Sequence, residues 1–250
     1  MHSLTHLRGV SSSARGAWTF PRKCGVAMKM IAACFAIVVG TGTYVTVSVA
    51  RADVAAAGQV ITVQAATPRS QVAVLRTWQL QSDGRYVQVF GAFIAYVGKH
   101  GVGPTREGLG KTPTGTFTLT QAFGNRPNDG TKLPYFRAGV HDWWDENPAS
   151  PHYNRHVVSS VSPGGDSENL YDAGLAYTHA VVINYNMNPV VKGAGSGFFL
   201  HVSFGAPTQG CIAIPENQLT RVMRWLRPAD HPVIIIGIGS TPLAIVTPPG

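Results

Sequence analysis

The chain has 250 residues, enough for one medium domain with a proper core or at most two small ones. Only 13% of residues are charged, while Gly, Pro, Ser, Thr and Val are abundant and the apolar runs are short, so an all-β or β-dominated domain is expected. The formal charge of +8 is no nucleic-acid signal: residues 1–52 hold six Lys/Arg and no acid, the remainder carries a net +2, and no basic stripe is interleaved with aromatics.

The basic front end reads as an export signal over residues 1–52. Lys29 precedes an apolar stretch from Ile31 to Val49, and Ala50-Arg51-Ala52 fits the small-x-small pattern at which signal peptidase cuts. Met28, followed by Lys29, makes a more conventional start than Met1. An uncleaved membrane anchor competes with cleavage because the stretch is about as long as the shortest spanning helices, and it would be the one membrane contact. Ile31-Ala32-Ala33-Cys34 is a weaker, lipoprotein-like alternative.

Of three cysteines, Cys24 and Cys34 lie in this leader, so cleavage leaves Cys211 alone. A lone thiol in an oxidising compartment is either buried and inert or free and reactive. Residues 53–70, made of Ala, Gln, Thr and Val, read as a linker or a frayed strand ahead of a catalytic domain over residues 71–240. Within that domain, strands are expected from Tyr86 to Val97, interrupted at Gly91, and from Gly115 to Gln121.

From Asn125 to Asp172 runs a segment rich in Gly, Pro, Asn and Asp, with a dense aromatic patch of Tyr135, Phe136, Trp143, Trp144 and Tyr153. Segments of this length either cover a site or pack on the core. Strands follow from His179 to Tyr185 and from Gly197 to Ser203, and alternation in the second puts Phe199, His201 and Ser203 on one face. Leu219, Val222, Met223 and Leu226 recur at helical spacing, predicting one short amphipathic helix closed by Arg227-Pro228. Val233 to Ile238 reads as a buried last strand, and residues 241–250 as a Pro-containing tail.

Chemistry concentrates at His201, at a strand end, and Cys211, ten residues later, with Gly205 and Pro207 between them to turn the chain. A thiol with a pKa of roughly 8.5 is a weak nucleophile until a neighbouring imidazole takes its proton. Gly210 permits a tight turn that aims backbone N–H groups at a developing oxyanion. A satisfied core histidine beside an inert cysteine is the bland alternative.

The letters around the pair decide between these. Leu200-His201 followed by Thr208-Gln209-Gly210-Cys211-Ile212 resembles the signature of YkuD-type L,D-transpeptidases, and Lys111-Thr112-Pro113-Thr114-Gly115-Thr116-Phe117 is similar to the Thr-Pro-x-Gly segment ahead of it. The resemblance covers roughly Arg85 to Gly237. It implies a β-sandwich in which Cys211 attacks a peptidoglycan stem tetrapeptide, releases D-alanine and passes the acyl group to an amine, a protein or water. In that reading His201 is the base, a backbone carbonyl near Val202 orients it, and the amides of Gly210 and Cys211 are the oxyanion donors. Neither metal nor organic cofactor is implied, and a monomer is favoured.

Three positions depart from the pattern: Val202 replaces the usual Gly, Gln209 the usual His, and Ala213 an Arg that would pair with a substrate carboxylate. Ser203, Lys111, Tyr153 and Arg155 are the further candidates for substrate contact. Two other readings stay open. His141, Asp142, Asp145, His152 and His156 could bind zinc if a helix paired the last two histidines, although Pro151 and Asn154 oppose one. The domain could also be a non-catalytic wall-binding module with an incidental Cys211.

Overall fold

The computed structural model describes residues 57–246, so the export signal, the anchor and lipoprotein alternatives and the Met28 start lie outside the described residues. In chain order the strands are β1 (Gln59–Ala65), β2 (Val72–Leu80), β3 (Tyr86–Tyr96), β4 (Gly115–Thr118), β5 (Ala122–Gly124), β6 (Tyr135–Arg137), β7 (Asp142–Asp145), β8 (Arg155–Val158), β9 (Glu168–Asn169), β10 (Ala180–Val182), β11 (Phe199–Val202), β12 (Ile212–Ile214) and β13 (Val233–Ile238). Helix α1 (Glu216–Trp225) joins β12 to β13, and helix α2 (Thr241–Val246) follows β13. Ten strands form one sheet in the order β4-β13-β1-β2-β3-β12-β11-β10-β5-β6, and β8-β7-β9 form a second, three-stranded sheet. The strand-dominated class expected from composition is therefore found.

Alternation explains the layering. Ile61, Val63, Leu75, Val181, Leu200, Val202, Ile212, Ile214, Ile234 and Ile236 come from six strands yet join one buried cluster, so the large sheet curls around a shared core. Helix α1 completes that core with Leu219, Val222 and Met223, the residues whose spacing predicts it. Gly91, at φ +101°, marks the stretch where the pairing of β2 with β3 slips in register.

Two sequence expectations are corrected. Residues 53–70 are not a linker or frayed strand in their described part: β1 pairs parallel with β13 and antiparallel with β2, deep inside the sheet. Its polar side chains are satisfied there, Gln59 donating to the Trp225 carbonyl at 2.8 Å and Thr62 accepting from Trp78 Nε1 at 2.9 Å. Nor is 241–250 wholly a tail, because Thr241-Pro242 begins α2, with the proline in the first turn, where its missing N–H is not needed. Pro242 and Val246 are buried, so α2 covers the outer face of β13.

The aromatic segment becomes β6 to β9. Its Trp144 is buried edge-on against Phe199, with ring centroids 5.0 Å apart, so the small sheet lies over the outer face of β11. Among the described residues no helix is long and apolar enough to cross a membrane.

Candidate active site

Strands β11 and β12 run parallel, with Leu200 opposite Ile212 and His201 opposite Ala213. Cys211, immediately before β12, is thus level with Phe199, and alternation puts Phe199, His201, Cys211 and Ala213 on one face. A rise of ~3.3 Å per residue and a strand spacing of ~4.8 Å leave the diagonal Cα atoms of Cys211 and His201 about 8 Å apart, within the combined reach of their side chains. Both border a single cavity of about 720 Å³.

His201 is held by the backbone. Its Nδ1 lies 2.9 Å from the Val202 carbonyl, and a carbonyl only accepts, so Nδ1 carries the proton and Nε2 keeps the free lone pair. The ring packs against Tyr177 at 5.4 Å between centroids. Burial lowers the His201 pKa to about 4, partly offset by the Val202 bond, so the imidazole is neutral at pH 7.

The half-buried Cys211 receives the Phe199 N–H at 3.3 Å and donates to the Gly197 carbonyl at 3.2 Å. Burial pushes its thiol pKa well above the usual range, and the charge of Glu168 raises it further; the Phe199 N–H and the Tyr177 hydroxyl pull the other way. The resting pair is therefore a thiol and a neutral imidazole. Proton transfer has to accompany attack on the substrate, as in general-base catalysis, because no standing thiolate is waiting.

Residues 208–211 form a tied loop. The Thr208 hydroxyl donates to the Cys211 carbonyl at 2.6 Å and accepts the Gly210 N–H at 3.1 Å. Gly210 sits at φ +147°, where a Cβ would approach Phe198 to 2.7 Å, so a side chain there is excluded twice over. Because Thr208 already takes the Gly210 N–H, the Cys211 N–H is the expected oxyanion donor left without such a bond. Thr112 fastens the loop from outside, accepting the Gly98 N–H at 2.8 Å and donating to the Gly210 carbonyl at 2.7 Å. The Thr-Pro-x-Gly segment thus supports the cysteine loop across a long stretch of chain.

Of the residues singled out from sequence, Cys211, His201, Gly210, Gln209, Thr208 and Val202 all border the cavity. Ser203, Lys111, Tyr153 and Arg155 lie outside its lining. The Ser203 hydroxyl accepts the Gly205 N–H, and Arg155 donates to the Met187 carbonyl at 2.7 Å. Lys111 contributes its carbonyl to Thr105 rather than its ammonium to the cavity. Tyr153 is buried and donates to Glu107, a residue that does border the cavity, so it supports the wall from behind.

The histidine cluster takes a different form from the one zinc would need. His156 lies on strand β8, not on a helix with His152, stacks on Phe136 and binds Asp142 at 2.6 Å. Among the described residues no three His, Cys, Asp or Glu side chains converge as a metal site.

Three groups escaped sequence reading. Tyr177 faces the sulfur and donates to Glu168 at 2.7 Å, and Glu146 lies against Gly197, its carboxyl oxygen where a Cβ would stand. Burial and neighbouring carboxylates, Glu168 first, raise the Glu146 pKa to about 9. The aromatic segment offered a cover over a site as one of two readings, and gave no sign of which of its acids would point inward.

Comparison with known proteins bears on the family. No curated protein and no solved structure matches the chain. The family model for the YkuD L,D-transpeptidase catalytic domain matches residues 59–235, taking in β1, the Thr112 segment, His201 and Cys211. That match spans well over half of the sequence, and the chain belongs to the YkuD family of L,D-transpeptidase catalytic domains.

Proposed function

We propose that the protein is an exported cysteine L,D-transpeptidase acting on peptidoglycan stem tetrapeptides outside the cytoplasmic membrane. The observation that carries the reading is the placement of Cys211 and His201 on one face of adjacent parallel strands, bordering one cavity. As Cys211 Sγ attacks the carbonyl carbon of the third stem residue, its proton passes to His201 Nε2. The carbon–nitrogen bond to D-alanine then breaks, and His201 returns the proton to the leaving amine, leaving a thioester on Cys211. The Cys211 N–H is aimed at the oxyanion. An amine acceptor, a protein amine or water finally cleaves the thioester and restores the thiol. The family activity needs no group beyond these side chains, and a monomer suffices because one chain supplies both of them.

Incubation of the protein with purified stem tetrapeptide, followed by mass spectrometry, tests this. The expected result is loss of D-alanine with a transient acyl adduct on Cys211. An intact tetrapeptide and an unmodified cysteine would sink the assignment.

The burial that keeps the thiol protonated is also what a non-catalytic wall-binding module would show. Carbapenem labelling separates the two, since an incidental cysteine stays unmodified while a transpeptidase nucleophile is acylated.

A further inference from the structure

The cavity beside Cys211 is lined by five carboxylates, Glu107, Glu146, Asp166, Glu168 and Asp172, against one Lys/Arg, the exposed Arg106. They differ in how they are held. Glu107 accepts from Tyr153 and, at 2.6 Å, from Ser196, while Glu168 accepts from Tyr177. Among the described residues the Glu146 carboxyl has neither a hydrogen bond nor an ion pair, although it is largely enclosed.

Position and chemistry agree. The carboxyl of Glu146 rests on Gly197, which sits at φ +64° and whose Cβ site that carboxyl occupies; the carbonyl of the same glycine accepts the Cys211 thiol at 3.2 Å. The free carboxyl and the nucleophile therefore both neighbour Gly197. Ala213, on the same face as Cys211 and bordering the cavity, offers no cation to a carboxylate.

We propose that Glu146 is the specificity-determining residue of an ammonium subsite, which holds the primary amine of the acyl acceptor next to the Cys211 thioester. This rests on the transpeptidase reading and assigns a residue to the amine acceptor named there, which it favours over water or a hydroxyl. Before reaction an ammonium ion is bound against the ionised Glu146 carboxylate. One proton moves from nitrogen to that carboxylate, the neutral amine attacks the thioester carbon, and the carbon–sulfur bond breaks as the amide forms. The second nitrogen proton goes to sulfur, so the step begins and ends with no net charge. Enclosure and the neighbouring acids keep Glu146 protonated in the empty cavity, so an arriving ammonium ion displaces a proton.

The full chain carrying Cys211→Ala, titrated calorimetrically with Nα-acetyl-lysine amide and with its Nε-acetylated form, tests the subsite without turnover. The free amine is expected to bind at least tenfold more tightly than the acetylated one and to release a proton near pH 7, read from the heat in buffers of different ionisation enthalpy. Glu146→Gln should erase both the preference and the proton release, and Glu146→Asp should retain part of each. Equal affinities for the two probes, or a preference that survives Glu146→Gln in a cooperatively folded protein, would overturn the proposal. Failure of the wild-type chain to form an acyl adduct on Cys211 is a separate result, which removes the transpeptidase reading and leaves the titration standing.

Discussion

The outer face of the large sheet is covered twice, and the two covers differ in kind. Over β1, β2 and β13 lies α2, and the contact is Val60, Val233, Ile235 and Val246 with Trp78 at its edge. Over β10 and β11 lie the three-stranded sheet and the 3-10 turn Gly174–Tyr177, and the contact is Phe123, Trp144, Tyr177 and Phe199 in edge-to-face pairs at 5.0–5.5 Å. Aliphatic side chains seal a face and offer nothing else. Aromatic ones seal it while presenting a hydroxyl or a ring to polar neighbours, and among the described residues only at that end do a histidine, a thiol and two carboxyls sit beside the core.

The largest expected effect falls at the aromatic end and leaves the fold intact. Cys211→Ala should abolish acyl-enzyme formation while thermal unfolding stays cooperative, and any surviving turnover would break the proposed mechanism. His201→Ala should lower turnover by about 10²–10⁴-fold, the usual contribution of a positioned general base. An unchanged rate would remove His201 from the reaction.

Stability sharpens the contrast next. Trp144→Ala should cost about 3–5 kcal/mol and open the aromatic cover, lowering both the unfolding midpoint in denaturant and activity. Val246→Ala removes two methyl-sized groups from the aliphatic cover and should cost only about 1–2 kcal/mol, with activity kept. Equal losses of activity in the two variants would show that the covers are not functionally distinct.

Proton linkage belongs to the aromatic end, and two of its groups act with opposite sign. Folding depresses the His201 pKa to about 4 from an ordinary value near 6.5, so the unfolded chain binds more protons in between. The native state should therefore lose stability as pH falls from 6.5 to 4, and His201→Gln should flatten that part of the curve. For Glu146 the sign reverses: its raised pKa means stability falls as pH rises from 4.5 towards 9, and Glu146→Gln should be the more stable protein at pH 8.

The smallest effects probe the thiol. Because Glu168 is the leading charge that raises its pKa and the Tyr177 hydroxyl lowers it, Glu168→Gln should speed iodoacetamide labelling severalfold at pH 8, and Tyr177→Phe should slow it. Rates that do not respond would mean that neither group is felt at the sulfur.

How much of this was legible in the sequence follows the range of the interactions involved. Helix α1 and strand β13 declare themselves through Leu219-Val222-Met223 and Val233–Ile238, since burial on one side or on both writes a local pattern. Strand β1 does not, because Gln59 and Thr62 find their partners on Trp225 and Trp78, and a local reading sees only polar residues. Helix α2 was hidden by Pro242, which punctuates a tail as readily as it opens a helix. At the site, His201, Cys211 and the Thr208–Gly210 turn lie close in sequence and were found together. Tyr177, Glu168 and Glu146 come near the sulfur only because the small sheet and the 3-10 turn fold back over β11, and no spacing rule announces that.

The Nδ1–H of His201 is anchored on a peptide carbonyl, where many hydrolases and transferases place an acid. A mutational screen will therefore find a dyad and never a triad, since exchanging the side chain at position 202 leaves the carbonyl in place. Only an insertion, a deletion or a proline that shifts the strand can unseat the ring. Drift in the amino acids around the imidazole is correspondingly harmless to its tautomer, which leaves the rest of the pocket free to diverge in what it accepts.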